Sequence, residues 1–401
     1  FEARARAAGS AWDRRGENQA VIEKVLLQLD GIPLAIELAA ARVRILSPEQ
    51  LVKRLSQRFK VLRKGGKGTE GGARQQTLEG AIRWSWELLE SWEQMALAQC
   101  SVFRGGFTLE AAEEVLNLEA WDDAPWTLDV LEALQDKSLL QVREVLPGHE
   151  RFFMYESIRV FATDRLAEPG AIVTSDGTSQ SDERALQEAG KRFASYFARF
   201  GTEEYLESLA LHGGGERLRQ LALDIDNLLT SLHRSLAVNN GDLAARCFFA
   251  ATNVLTLRGP CLLASELAGL VLSCPSLSPK NYAQIHFEKG RALRLVGNVE
   301  LARNALELAR DTASESNNRR LLGRALGELA IICELQGKMD DALSHYEQAL
   351  AIHREVHNQL QEGIVLANMG IMYRIQGRGE ESKRHYEAAL KIHQRIGNRR
   401  A

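Results

Sequence analysis

Three glycines, Gly297, Gly337 and Gly377, recur at a spacing of 40, and this period constrains the fold of the 401-residue chain more than any other feature. Small residues follow at fixed offsets. Ala302, Ala342 and Ser382 come five positions on, and Ala309, Ala349 and Ala389 twelve positions on. His345 recurs as His385, Tyr346 as Tyr386 and His353 as His393. One unit earlier, Gly259, Ala264 and Val271 keep the offsets at a spacing of 38. Such a unit reads as two antiparallel helices: small residues let them approach closely, and the glycine allows the turn between them. The position held by Leu306, Tyr346 and Tyr386 wedges against the neighbouring pair. A single pair cannot bury its own apolar face, so pairs stack into a solenoid.

These residues resemble the tetratricopeptide repeat. Gly290, Ala330 and Gly370 take the small first-helix position, with Leu293, Cys333 and Tyr373 three places on. Two departures stand out. The period is 40 where about 34 is usual, so helices or loops must be longer. The usual terminal proline is replaced by Ser314, Arg354 and Gln394. The resemblance is strong over Asn281–Ala401 and weak over Asp224–Ser278. It implies that first-helix side chains line a groove, here Gln284, Phe287, Arg291, Arg294, Arg324, Ile331, Glu334 and Arg374. Four arginines in that set suggest an acidic peptide or carboxylate partner, because guanidinium binds carboxylates bidentately. The plainer reading leaves them solvated.

The first half is different in kind. All six tryptophans (Trp12, Trp84, Trp86, Trp92, Trp121, Trp126) lie in it, and no repeat is visible. Residues 1–62 read as a helical subdomain. A glycine-rich linker follows (Gly65, Gly66, Gly68, Gly71, Gly72), and Glu168–Glu183 reads as a second linker. Between them, Thr77–Leu89, Ser91–Cys100, Thr108–Leu116 and Thr127–Gln135 read as helices. Ser138–Val145 and Arg151–Tyr155 alternate around Pro147-Gly148 as a hairpin, and Glu156–Leu166 closes the unit. Helices followed by a hairpin wing predict a winged-helix domain over 74–167. Connecting helices over 184–240 then lead to repeats over 241–401. The expected fold class is mainly α: helical subdomain, winged helix with a β-hairpin wing, α-solenoid.

The string Leu29-Asp30-Gly31-Ile32-Pro33-Leu34-Ala35-Ile36-Glu37-Leu38-Ala39 can be read as an ordinary helix–turn–helix corner. It also resembles the "GLPL" motif of the NB-ARC and related signal-transduction ATPases with numerous domains. Phe1-Glu2-Ala3-Arg4-Ala5-Arg6-Ala7 is similar to the helix before that motif in bacterial members. Arg74-Gln75-Gln76-Thr77-Leu78 with Trp84-Ser85-Trp86-Glu87-Leu88-Leu89 is similar to the opening of their winged helix, and Phe103-Arg104-Gly105-Gly106-Phe107 to the turn after it. The resemblance implies an ATP/ADP switch, with Gly31, Ile32, Pro33 and Leu34 against the adenine. Met154-Tyr155-Glu156 stands where the family carries "MHD", whose histidine reaches the β-phosphate. Tyr155 replaces that histidine; its phenol can donate one hydrogen bond but carries no positive charge near neutrality. A core role for Tyr155 is an equal alternative.

A phosphate-binding loop needs G-x-x-x-x-G-K-[ST] between a strand and a helix, and the chain has none. Gly65-Gly66-Lys67-Gly68-Thr69 lacks a glycine five residues before Gly66 and reads as linker. The acidic strand that would hold Mg²⁺ is missing too. Catalysis by this chain alone is therefore not expected, and the nucleotide core is expected upstream of Phe1.

Other classes are disfavoured. No apolar run reaches the length of about 20 residues that a membrane helix needs. Residues 1–25 have no signal-peptide pattern. Five scattered cysteines (Cys100, Cys247, Cys261, Cys274, Cys333) with no C-x-x-C pair suit a reduced, cytoplasmic setting and no zinc site. His353 and His357 share a helix face, but His357 aligns with Gly397, so duplication explains them better than a metal. Lys+Arg total 50 and Asp+Glu 53, a net charge of −3, which suits neither a general nucleic-acid nor a membrane-surface binder. Asp129, Glu132 and Asp136 make the winged helix's fourth helix acidic, which opposes DNA phosphates. The expectation is thus the sensor region of a nucleotide-switched ATPase, with a protein or small ligand in the repeat groove and ligand-dependent oligomerisation open to it. The alternatives are a repeat scaffold without switching, and, less favoured, a DNA-binding regulator.

Overall fold

A computed structural model describes residues 23–26, 50, 78–137 and 139–397. Of the expected first subdomain, only residues 23–26 and Gln50 fall within it, all helical. Gly31, Ile32, Pro33 and Leu34 and the glycine-rich linker lie outside the described residues. The described chain is mainly helical with one two-stranded sheet. It divides into two compact units, one ending at Arg192 and the other beginning at Phe193.

In the first unit, α1 (Leu78–Glu87), α2 (Ser91–Cys100), α3 (Leu109–Val115) and α4 (Thr127–Asp136) precede β1 (Leu140–Leu146), β2 (His149–Met154) and α5 (Glu156–Ala167). The order is the expected one, with ends shifted by a few residues. Two of the helix starts have a local cause. The Glu90 and Glu93 side chains cap α2 reciprocally, and the Thr108 side chain accepts from Ala111 N at the start of α3. The strands pair antiparallel from Leu140↔Met154 to Leu146↔His149, with a register shift between Glu144 and Leu146. Phe107 exchanges backbone hydrogen bonds of 3.0 and 2.8 Å with Phe152 and so ties the hairpin to the turn before α3. Phe103, Phe107 and Phe152 stack at centroid separations of 4.3 and 5.6 Å in the core.

The segment Glu168–Glu183 is more than a linker. Val173 bridges Ser179, and Ile172 is fully buried. The Ser181 hydroxyl donates to Glu168 O at 2.7 Å and accepts from Ile172 N at 2.9 Å. The Ser, Thr and Asp content that suggests a flexible stretch supplies the side chains that satisfy its backbone.

Helix α6 (Glu183–Ala198) contains the division between the units. The second unit continues through α7 (Glu203–Ser208), α8 (Gly214–Leu223), α9 (Ile225–Ala237), α10 (Gly241–Arg258) and α11 (Cys261–Leu272). Six helices then follow: α12 (Pro279–Leu295), α13 (Val299–Glu315), α14 (Arg319–Leu335), α15 (Met339–Glu355), α16 (Gln359–Ile375) and α17 (Gly379–Arg395). Each is 17 residues long, and three-residue turns separate them. Longer helices, not longer loops, therefore stretch the unit beyond the usual repeat length.

The turns after first helices share one backbone path. Gly297, Gly337 and Gly377 take φ of 82°, 74° and 74°, the left-handed region that closes a helix C-terminus. The next residue's N–H returns to the helix: Asn298 to Leu293 O, Lys338 to Cys333 O and Arg378 to Tyr373 O, each at 2.9 Å. Asn298 also caps the next helix through its side chain, as Asn318 and Asn358 do in the turns after second helices, whereas Lys338 and Arg378 make no side-chain cap. Second helices end on Asn317 and His357, both at φ 53°. His357 is thus a turn residue. At the helix contacts, Ala302, Ala342, Ala309 and Ala349 have no exposed surface, and neither do Leu306 and Tyr346. Among the described residues no helix is long and apolar enough to cross a membrane. All five cysteines are unpaired.

Candidate functional site

The inner helices of two successive repeats carry a packed charge cluster. On α12, Gln284, Glu288 and Arg291 recur at spacings of four and three, which places them on one face. Glu288 is only 5% exposed. One of its carboxylate oxygens accepts from Arg291 Nη1 at 2.8 Å. The other accepts from Gln284 Nε2 at 3.0 Å and Arg324 Nη2 at 3.2 Å. Glu328 on α14 accepts from Arg294 Nε at 2.8 Å and lies 3.4 Å from Arg291 Nε. The Glu288 carboxylate holds Arg291 above its ordinary pKa, whereas burial draws Arg324 below its own against the pull of Glu288.

Phe287 belongs to the core and not to an open groove: it is 2% exposed, and Arg324 lies 4.3 Å over its ring. Ile331 is half-buried and packs on the same core. Burial raises the Glu334 carboxyl, with the Tyr346 phenol beside it partly offsetting. Arg374 is exposed on α16. Gln284, Arg291, Arg294 and Arg324 therefore form one cluster, to which Glu334 and Arg374 make no hydrogen bond or ion pair among the described residues. The residues missed by sequence reasoning are Glu288 and Glu328. A signal existed, since their spacing equals the period set by Gly297 and Gly337, so both occupy one position of the repeat.

His353 and His393 have a packing role. An added Cβ on Gly323 would meet the His353 ring at 2.7 Å, and one on Gly363 the His393 ring at 2.8 Å. Each imidazole fills the space left by the missing side chain. His353 is 1% exposed, and burial with the nearby Arg324 lowers its pKa to about 4. A depressed folded-state pKa means the unfolded chain binds the proton first. The contribution of His353 is complete above its unfolded value near 6.5 and is lost as pH falls toward 4. Between pH 7.5 and pH 5, denaturant unfolding should show a stability loss that His353→Leu reduces by about 2 kcal/mol. An unchanged loss would mean the ring is solvated. Among the described residues, no group of three or more His, Cys, Asp and Glu is placed to hold a metal.

In the first unit, Tyr155 is the residue before α5, and its Oη accepts a hydrogen bond from Gln141 Nε2. Glu156 pairs with Arg159 and lies 3.7 Å from Arg104. Tyr155 and Glu156 thus open α5 beside two guanidinium groups. On α4, Asp129, Glu132 and Asp136 are exposed.

The tetratricopeptide-repeat family matches residues 281–355 and again residues 365–396. The chain is 40% identical over 154 residues to Rv0890c of Mycobacterium tuberculosis, which carries the name of an HTH-type transcriptional regulator; the match covers 38% of this chain and 17% of that protein. It is 34% identical over 172 residues to Rv0894 of the same organism, 42% of each chain. The chain thus spans less than half the length of these relatives. Among solved structures, PH0952 from Pyrococcus horikoshii, a signal-transduction ATPase with numerous domains and a tetratricopeptide repeat sensor, is 16% identical. The likeness covers 91% of this chain and 54% of that one at a TM-score of 0.43. BtubC from P. vanneervenii is 17% identical over 53% of this chain and 77% of its own, at a TM-score of 0.36.

Proposed function

We propose that this chain, whose second unit carries tetratricopeptide repeats, is the sensor region of a nucleotide-switched signal-transduction ATPase. The observation that carries the reading is the order of its parts. The Gly31–Leu34 string comes first, then helices with a hairpin and a closing helix, then the repeats. In this reading a protein or peptide binds the repeats, and binding biases the first unit between an ADP-held and an ATP-held state. Pro33 packs on the adenine. The Tyr155 phenol faces a phosphate with its O–H while its oxygen still accepts from Gln141. The phosphate loop and the Mg²⁺ ligands belong to a core that these residues do not contain.

The repeat cluster sets a condition on the partner. Arg291, Arg294 and Arg324 already hold Glu288 and Glu328, so an acidic partner must compete with those carboxylates. Arg374 is the exposed guanidinium of the expected groove set. Calorimetry on the full-length gene product tests the switch. ADP should bind, and Pro33→Ala should weaken it about tenfold or more through lost contact with the base. Absence of both ADP and ATP binding with Pro33 intact would leave the second reading, a repeat scaffold without switching. The engagement of Tyr155 by Gln141 and of Glu156 by Arg104 and Arg159 favours that reading.

A further inference from the structure

A polar pocket of about 150 Å³ opens between the outer helices α13 and α15, over the end of α14. Arg303 and Arg310 reach it from α13, Lys338 from the turn before α15, and Asp341 and His345 from α15. Glu307 completes the charged lining, and Cys333 closes the α14 side.

The duplicated scaffold shows what is unusual here. One repeat on, the place of Cys333 is taken by Tyr373, whose ring lies 4.9 Å from that of His385 and under the Arg378 guanidinium at 4.5 Å. The places of Arg303 and Arg310 are taken there by Leu343 and Leu350. An aromatic ring and two leucines at one interface thus correspond to a small thiol and two guanidinium groups at the other. Arg303 stands at the half-buried position that Leu343 fills in the next repeat, and a guanidinium shielded there without a partner is costly unless something meets it.

Arg303 has no ion pair among the described residues, and its Nη2 is shielded from solvent without a hydrogen-bond partner. His345 Nδ1 is likewise buried and unpartnered. Arg310 is partly satisfied by Asp311 at 2.7 Å. Three cations face the two carboxylates Glu307 and Asp341 and a histidine that burial and Arg310 keep neutral. With Asp311 on Arg310 the charges balance, and what stays unsatisfied is Arg303 Nη2 and His345 Nδ1. A water molecule occupies about 30 Å³, so the space holds a tetrahedral oxyanion with a few waters, but neither a nucleotide nor a peptide.

We infer that this interface is a binding site for a small oxyanion, a phosphate or a carboxylate, seated on Arg303 and Lys338. Guanidinium recognises either group through paired N–H donors. The site is separate from the inner-helix cluster and independent of the nucleotide reading.

The test is titration calorimetry on the 401-residue chain with inorganic phosphate and, separately, acetate. Two variants accompany it: Arg303→Leu, which installs the residue of the next repeat, and Cys333→Tyr, which fills the space as Tyr373 does. Circular-dichroism melting checks that both fold. The expected result is binding of at least one anion, weakened about tenfold or more in both folded variants. Preference for phosphate over acetate, or the reverse, assigns the ligand class. No binding of either anion up to about 10 mM, or equal binding by wild type and variants, overturns the proposal.

Discussion

Replacing Glu288 by alanine is expected to destabilise the repeat unit by about 3 kcal/mol, read as a lower denaturant midpoint. Glu288 is 5% exposed and accepts from Arg291, Arg324 and Gln284 at once. Its removal leaves two guanidinium groups, whose side chains are 30% and 28% exposed, without the carboxylate that held them. Arg291 keeps Glu328 at 3.4 Å, which holds the loss at the lower end for a broken buried pair. Arg324 keeps the face of Phe287 and the weaker pull of Glu328, with which it forms no ion pair. Adding Arg324→Met to Glu288→Ala should therefore recover part of the loss, since a flexible apolar chain covers Phe287 without a charge to solvate. A Glu288→Ala cost below about 1 kcal/mol, the range of exposed pairs, would show that the cluster is screened by solvent.

Tyr346→Ala and Tyr386→Ala form the second large contrast. Both tyrosines occupy one position of the repeat, but Tyr346 is 0% exposed and Tyr386 is 36% exposed. Tyr346 sits in the core cluster with Ala330, Ala342 and Ala349, each fully buried. Truncating it leaves a cavity that rigid 17-residue helices cannot close, so a loss of about 4 kcal/mol is expected. Tyr386 packs by its ring edge against Gly370 and keeps one side in water. Its truncation should cost about 1 kcal/mol. Equal effects at the two sites would contradict stacking of successive repeats at this position.

The repeat was legible because its causes are local and recur. A left-handed turn demands glycine, a close helix contact demands a small residue, and both return once in every unit. The first-unit helices and hairpin were legible for similar reasons, through Thr108 at a helix start and Pro147-Gly148 at the turn. The charge cluster was only half legible. The arginines stand out as a set, but their neutralisation depends on Glu288 and Glu328, which come together only when α12 packs on α14. Phe287 shows the same limit: helical spacing places it on the inner helix, and only packing decides that its ring is covered. His353 was legible as a repeat feature but not as the filler above Gly323, which lies on the preceding helix. The Glu168–Glu183 segment misleads because the composition of a linker is also that of a loop which bonds to itself.

If a nucleotide is read by two segments of this chain, Leu29–Ala39 and the start of α5, both must respond when it binds. Hydrogen exchange on the full-length gene product, with and without saturating ADP, measures that response segment by segment. ADP is expected to slow exchange in peptides spanning Leu29–Ala39 and Met154–Arg159. Unchanged exchange in both segments when ADP is bound would contradict the nucleotide switch.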